Sequence, residues 1–240
     1  MPSSLSSPRV RTVLDAIAAE QQRVDAVEQP ELLDIVRRRT TPWTPRELVD
    51  ACASGYYAAP AAIGRMLYTC VRAMRPRVVF EFGTSYGFTA IHIAAALRDN
   101  GAGKLYTVDL HEGKCAAARE HLKSAEVDEY AEVITGEAAD VLSSFPLVAK
   151  STEPVDLLYL DGWADFYLDV VRAAEPWLRT GALVHADDTE KFAAGARPYL
   201  EYVRDPQGDY VSVGITDGQG LELSTYTGPA RTGRPERTAA

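Results

Sequence analysis

From residue 77 to residue 226 the sequence alternates short apolar runs with longer segments of helical pattern, and this alternation most constrains the fold. Short apolar runs separated by helical segments are typical of a parallel β-sheet with both faces covered by helices. The pattern therefore predicts an α/β fold with a doubly wound sheet. The predicted strands are residues 78–82, 105–109, 131–135, 155–161 and 182–186.

Two further apolar segments, residues 210–216 and 220–226, flank Asp217-Gly218-Gln219. A turn of this composition between two strand-like segments indicates an antiparallel hairpin. The hairpin completes a seven-stranded, mostly parallel sheet with an antiparallel last strand. Residues 228–240 are rich in Pro, Gly, Thr and Arg, and we expect this tail to be disordered.

Residues 1–75 have a different pattern, which predicts a helical cap ahead of a catalytic domain at 76–227. A first amphipathic helix is expected to end at Pro30, and a second, short helix to end before Thr40-Thr41-Pro42. Thr44 followed by Pro45 predicts the start of a third helix, and a fourth is expected from about residue 60 to 74.

Charge and cysteine content limit the classes of partner. The 240 residues carry a formal net charge of −9, which disfavours nucleic acid. The three cysteines have neither zinc-ligand nor paired spacing, which indicates reduced thiols in the cytoplasm. No leader-like or membrane-spanning apolar stretch is seen, so a membrane partner is not expected.

A glycine-punctuated turn follows the first predicted strand, in the sequence EFGTSYGFT at residues 81–89. Glycines allow a ligand to approach the bare backbone and the N-terminus of the following helix. The GxxxG spacing is neither the GxGxxG of dinucleotide binding nor a phosphate loop, because no Gly-Lys-Ser/Thr follows. The alternative is a tight connection that binds nothing.

Acidic residues end the next strands as well. Asp109 can accept hydrogen bonds from both ribose hydroxyl groups, or it can cap a helix together with Glu112. Glu137 can meet an adenine amino group. Because ligands of α/β sheets bind beyond the carboxyl ends of the strands, this series indicates a single binding cleft. The fourth and fifth strands end in Asp161 and in Asp187-Asp188.

Residues 55–226 resemble the class I S-adenosylmethionine-dependent methyltransferases, in particular the bacterial small-molecule O-methyltransferases related to catechol and caffeoyl-coenzyme A O-methyltransferases. The resemblance lies in segments 81–89, 107–110, 136–138, 157–167 and 185–192. It implies a Rossmann-like fold and S-adenosylmethionine as cofactor. The implied cofactor-binding residues are Glu81, Gly83, Thr84, Ser85, Gly87, Thr89, Asp109, Leu110, Glu137, Ala138 and Asp161.

The resemblance also implies a candidate Mg²⁺ site formed by Asp161, Asp187 and Asp188, although the family usually has asparagine where Asp188 stands. Oxygen ligands suit this hard cation. The alternative is that Asp187 caps the next helix with Glu190. The family's catalytic lysine is absent, because Trp163 and Ala164 fill its position. The remaining candidates for the catalytic base are Asp161 and His185.

The sequence thus predicts an enzyme that transfers a methyl group to a hydroxyl of a small, aromatic molecule. Tyr57 and Trp163 are the predicted substrate contacts. Two alternatives stay open: an NAD-dependent oxidoreductase, and a protein that binds S-adenosylmethionine without turnover. A homodimer is expected by analogy and from the apolar N-terminal helices.

Overall fold

The sheet has the predicted topology. The computed structural model describes residues 3–38, 41, 43–149, 152–216 and 219–229. Its strands are β1 (Val78–Phe82), β2 (Lys104–Asp109), β3 (Ala131–Thr135), β4 (Val155–Leu160), β5 (Leu178–Ala186), β6 (Tyr210–Ile215) and β7 (Leu221–Tyr226). The described residues form one seven-stranded sheet in the order β3-β2-β1-β4-β5-β7-β6. Because β7 runs antiparallel to both of its neighbours, the predicted mostly parallel sheet with an antiparallel last strand is confirmed.

Helices lie between the strands and ahead of them. They are α1 (Pro8–Arg38), α2 (Pro45–Ala51), α3 (Ala61–Met74), α4 (Phe88–Asn100), α5 (Glu112–Ser124), α6 (Ala138–Ser143), α7 (Phe145–Ala149), α8 (Tyr167–Ala174) and α9 (Ala193–Val203). The predicted helix end at Pro30 is wrong, since α1 continues through it. A proline inside a helix removes one backbone donor and its ring clashes with the carbonyl four residues back, a cost of about 3 kcal/mol that did not end this helix. The predicted start of α2 is confirmed, because Thr44 forms a capping box with Glu47.

The chain divides into two compact units, Met1–Pro76 with Phe80–Ala138, and Arg77–Val79 with Ala139–Ala240. These units are defined by contacts and do not correspond to the predicted helical cap and catalytic domain. The predicted boundary between residues 75 and 76 stays a prediction. The predicted disordered tail lies outside the described residues from position 230 onward.

The first unit contains the glycine turn, which leads into α4. This helix is buried on all sides from Phe88 to Leu97, as its almost uninterrupted apolar composition requires. It packs on α3, where Gly64 lies against the ring of His92. The parallel register of β2 and β3 sets Asp109 opposite Thr135 at the carboxyl ends of both strands.

The second unit contains the other candidate strand ends. β4 and β5 are parallel, with Leu160 opposite Ala186, so the residues that follow them are neighbours. The strand β5 begins at Leu178, earlier than predicted, because polar Arg179 and Thr180 conceal its apolar pattern. Within the described ranges, no helix is both long and apolar enough to cross a bilayer.

Candidate functional site

The glycine turn holds its backbone in conformations that few residue types adopt. Gly83, Ser85 and Gly87 have φ angles of 106°, 43° and 86°, in the left-handed region where only glycine is free of strain. The amides of Gly83 and Thr84 both donate to the carbonyl of Val108 on β2, at 2.9 and 3.3 Å. These bonds fix the turn beside the end of β2, as a cofactor-binding cradle requires.

Asp109 is bonded to the glycine turn and to the start of the next helix. Its Oδ2 accepts from the amide of Ser85 at 2.8 Å, and its Oδ1 from the amide of His111 at 2.9 Å. The alternative that Asp109 caps α5 is wrong, because the N-cap is His111, whose Nδ1 accepts from the amide of Lys114. Each carboxylate oxygen has a second lone pair, so both can still accept from a ribose hydroxyl.

Glu81 is the buried acid of the turn. The residue is fully enclosed, and neither carboxylate oxygen has a hydrogen-bond partner within the described residues. Burial raises the pKa of Glu81 to about 7, while the nearby hydroxyl groups of Thr107 and Thr89 oppose the rise. A buried carboxylate without a partner is costly. An ammonium group such as the amino group of S-adenosylmethionine would satisfy it.

The other predicted cofactor-binding residues of the first unit lie around the same strand ends. Thr84 is buried and shares a 2.6 Å hydrogen bond with Thr107, and Thr89 is buried in the first turn of α4. Leu110 follows Asp109 and is half-buried. Glu137 is exposed and Ala138 buried, directly after Gly136, whose amide donates to the carbonyl of Asp109 at 2.9 Å. An exposed Glu137 is open to a ligand.

In the second unit, Asp161 and Asp187 follow neighbouring strand ends, and the amide of Asp187 donates to the carbonyl of Leu160 at 2.9 Å. The buried hydroxyl of Tyr167 lies close to this group of acids. It donates to the carbonyls of Gly162 and Asp187, and burial raises its pKa, as do the negative charges of Asp161, Asp188 and Asp187. The structure therefore gathers the three predicted metal ligands around one tyrosine.

The three carboxylates do not fit a metal ion as they stand. Among the residues described, no group of three or more His, Cys, Asp or Glu side chains is arranged to hold one. Asp187 accepts from the amide of Asp188 and from Tyr159, at 2.9 and 3.3 Å. Asp188 forms an ion pair with Lys191 at 3.0 Å. The alternative that Asp187 caps α9 is wrong, because the N-cap is Phe192.

His185 lies inside β5 and is 1% exposed. Its ring packs on Tyr159 at 4.9 Å, and Nε2 has no hydrogen-bond partner in the described part of the chain. Burial lowers its pKa to about 4. This environment favours a packing role, and His185 as the catalytic base stays a prediction that its burial argues against.

The predicted substrate contacts lie in separate units. Tyr57 is half-buried in the first unit, with a φ of 45°. Trp163 is half-buried in the second and packs edge-on against Phe192, with ring centroids 5.3 Å apart. Neither residue has a contact that identifies a substrate, so both roles stay predictions.

Comparison with known proteins agrees with this geometry. The family described as a methyltransferase domain matches residues 80–189. Pig catechol O-methyltransferase is 28% identical over 182 residues, covering 72% of this chain and 94% of that protein. The family match, these relatives and the motifs together support a class I S-adenosylmethionine-dependent O-methyltransferase. The prediction made from the sequence motifs is thereby confirmed.

One more relative and one solved structure are also similar to this methyltransferase. A probable O-methyltransferase of Mycobacterium tuberculosis is 29% identical over 150 residues, 60% of this chain and 62% of that protein. The O-methyltransferase TomG from Streptomyces achromogenes, solved with S-adenosylmethionine, covers 87% of this chain and 99% of its own, with a TM-score of 0.66 and 22% identity. At that identity the structural likeness shows the fold.

Sequence reasoning missed two buried charged residues of the methyltransferase. Asp25 on α1 is buried and accepts from the amides of Tyr56 and Tyr57. Lys114 on α5 is buried, and its ammonium donates to the carbonyl of Cys52. Both interactions join segments distant in the sequence, so neither has a local motif. The only sequence signal was a charged residue at a position that helical periodicity turns inward.

Proposed function

We propose that this methyltransferase transfers the methyl group of S-adenosylmethionine to a hydroxyl group of a small aromatic molecule. The single observation that carries the proposal is the carboxylate of Glu81, buried without a hydrogen-bond partner among the described residues, at a turn built to admit a ligand. The oxygen acceptor and its aromatic class are supported by relatives named as catechol O-methyltransferases.

The residues of the first unit would hold the cofactor. Glu81 would accept hydrogen bonds from its amino group, Asp109 from its ribose hydroxyls, and Glu137 from its adenine amino group. The remaining contacts would come from Gly83, Thr84, Ser85, Gly87, Thr89, Leu110 and Ala138. Asp161 as a cofactor contact stays a prediction of the sequence. When bound, the cofactor supplies an electrophilic methyl group on a sulfonium. The protein contributes by orienting donor and acceptor, which can lower a barrier by about 7–11 kcal/mol.

The acceptor hydroxyl must lose its proton. We propose Asp161 as the proton acceptor, because it is half-buried directly after β4. Trp163 would contact the aromatic ring and exclude water from it. Tyr57 as a substrate contact stays a prediction of the sequence. The other candidate ligands for Mg²⁺, Asp187 and Asp188, interact with protein groups: Asp187 accepts from the amide of Asp188, and Asp188 pairs with Lys191.

Methyl transfer tests the proposal directly. Purified protein is incubated with S-adenosylmethionine labelled in its methyl group and with matched pairs of aromatic acceptors, catechols against the corresponding aromatic diamines. We expect label in the catechols alone. Label in the diamines alone would overturn the oxygen acceptor.

Calorimetry with S-adenosylmethionine and with NAD separates the remaining alternatives. We expect binding of the first and no binding of the second. S-adenosylmethionine binding with no labelled product from any acceptor would favour a protein without turnover.

Location and assembly remain proposals. We propose a cytoplasmic homodimer, supported for location by three unpaired cysteines. On the apolar N-terminal helix that suggested a dimer, Val10, Val13 and Ile17 are buried, whereas Val27 is exposed. Light scattering of the purified protein would decide the oligomeric state.

A further inference from the structure

Residues 52–58, here called the strap, lie between α2 and α3 and have no regular secondary structure. Such a segment has no regular backbone ladder, so its buried polar groups need partners from other parts of the chain or from water. Two of these partners are charged side chains that are each only 7% exposed, Asp25 on α1 and Lys114 on α5. Burial of a charge costs free energy. A buried charge that bonds to the backbone of the strap therefore indicates that the strap's conformation is held in place despite that cost.

Asp25 binds two consecutive amides of the strap. Its Oδ1 accepts from the amide of Tyr56 at 2.7 Å, and its Oδ2 accepts from the amide of Tyr57 at 2.9 Å. The ammonium of Lys114 donates to the carbonyl of Cys52 at 3.0 Å, at the other end of the strap. Gln21 adds a bond to the carbonyl of Ala58 at 2.8 Å. The strap is therefore held from both sides along its length.

The strap lies directly on the glycine turn. The hydroxyl of Ser85 donates to the carbonyl of Tyr56 at 2.6 Å, and the rings of Tyr56 and Tyr86 are stacked with centroids 3.8 Å apart. The ammonium of Lys114 lies 5.4 Å from the ring centre of Tyr57 and 5.7 Å from that of Tyr86, within the range of a cation–π contact. Ser85 and Tyr86 are thus shared by the strap and the turn.

The strap also contains a strained residue. Tyr57 has a φ of 45°, a left-handed conformation that is unfavourable for a residue with a Cβ atom. Strain of this kind persists only where surrounding contacts over-determine it, and it is concentrated at functional sites. Here the bond from its amide to Asp25 is one of the contacts that impose it.

We propose that Asp25 and Lys114 are positioning residues, which hold the strap against the glycine turn and thereby set the affinity for the methionine part of S-adenosylmethionine. This inference rests on the proposed function, because it takes the glycine turn as the seat of that part of the cofactor. Neither residue needs to touch the cofactor. Each acts through the strap on Ser85 and Tyr86, whose positions define the turn.

The test compares Asp25→Asn with Asp15→Asn, an exposed acid on the same helix. Asparagine has one acceptor oxygen in place of two, so one of the two amide bonds is lost. Loss of one charge-assisted bond predicts an increase of about tenfold in the dissociation constant of S-adenosylhomocysteine for Asp25→Asn, and no change for the control. Lys114→Met should behave like Asp25→Asn, with the exposed Lys123→Met as its control.

Adenosine as a second probe distinguishes positioning from general damage to the fold. Adenosine lacks the methionine part, so its dissociation constant should be the same in wild type and Asp25→Asn. In turnover, the KM for S-adenosylmethionine should rise while kcat at saturation stays within about twofold. Equal weakening of both probes, or an unchanged affinity for S-adenosylhomocysteine in Asp25→Asn, would overturn the inference. Failure of the proposed function looks different, because wild type itself would then not bind S-adenosylhomocysteine.

Hydrogen exchange on the wild-type protein keeps the inference testable if the variants do not fold. The amides of Tyr56 and Tyr57 should exchange more slowly when S-adenosylhomocysteine is bound, because occupancy of the turn stabilises the strap on it. Equal exchange rates with and without S-adenosylhomocysteine would contradict a link between strap and cofactor.

Discussion

At the scale of single residues, Glu81 is the most informative group in the molecule. It is fully buried near the hydroxyl groups of Thr107 and Thr89 and has no hydrogen-bond partner among the described residues, and burial raises its pKa to about 7. Such an arrangement destabilises a protein unless a ligand completes it. Glu81 therefore links the pH of the solution to cofactor affinity and to stability.

We expect Glu81→Gln to weaken binding of S-adenosylmethionine by about tenfold or more, because a charge-assisted bond to the amino group is lost. In wild type the affinity should increase as the pH rises through about 7, since the ionised carboxylate binds the ammonium. The variant should lack this dependence. Calorimetry from pH 6 to pH 8 measures both, and a pH dependence that persists in Glu81→Gln would contradict the assignment.

The same pKa predicts the opposite trend for the stability of the cofactor-free protein. Because the folded pKa is about 7 against an ordinary value of 4.5, the folded state keeps a proton that the unfolded chain has already lost. The stability contributed by protonated Glu81 is complete below the unfolded pKa and is lost as the pH rises through the folded one, by about 3 kcal/mol. Urea unfolding of wild type and Glu81→Gln between pH 4 and pH 8 would show a steeper decline in wild type. An equal loss of stability with pH in wild type and Glu81→Gln would count against a raised pKa of Glu81.

His185 provides a second prediction at this scale. Its burial and its pKa of about 4 favour packing over catalysis, so His185→Phe should keep kcat within about threefold and leave the pH profile of kcat unchanged. Steady-state rates between pH 6 and pH 9 provide the measurement. A loss of a hundredfold or more, with the acidic limb of the profile removed, would restore His185 as the base.

At the scale of elements, the glycine turn and α4 form one unit of structure. Gly87 is the N-cap of α4, with a φ of 86°, and a Cβ atom there would lie 3.3 Å from that of Ala118 on α5. At the other end of α4, Gly101 has a φ of 71° with nothing within 4 Å of an added Cβ atom. The two glycines share one conformational requirement and differ in the space around them.

This difference predicts unequal effects of two alanine substitutions. Gly101→Ala should cost about 1 kcal/mol, the price of a left-handed alanine. Gly87→Ala should cost more, because α5 must also shift, and it should weaken S-adenosylmethionine binding. Urea unfolding and calorimetry of both variants check the ranking. Equal losses of stability would mean that contact with Ala118 is unimportant.

At the scale of the whole molecule, the question is whether turnover needs a metal ion. Asp188 is paired with Lys191, and Asp187 accepts from a backbone amide and a tyrosine. A cation at Asp188 would compete with Lys191, and at Asp187 it would share the carboxylate with the amide of Asp188 and the hydroxyl of Tyr159. The ion pair supplies positive charge from the chain itself.

We therefore expect the rate of methyl transfer after treatment with a chelator to stay within about twofold of the untreated rate. The measurement is the amount of labelled product formed with chelator alone and with chelator followed by excess Mg²⁺. Loss of activity that Mg²⁺ restores would contradict this expectation and return Asp161, Asp187 and Asp188 to the role of ligands.

The sequence by itself determined the strands, the glycine turn and the acids that follow each strand, because apolar periodicity and turn composition are local properties. It predicted β1 and β3 with the bounds that the structure has. Only the tertiary structure decided how those residues are used. That Glu81 is unpartnered, that Asp188 pairs with Lys191, and that Asp25 and Lys114 hold the strap all depend on burial and on contacts between segments distant in the chain. Local sequence patterns do not predict such contacts, because the interacting groups come together only after the sheet has formed.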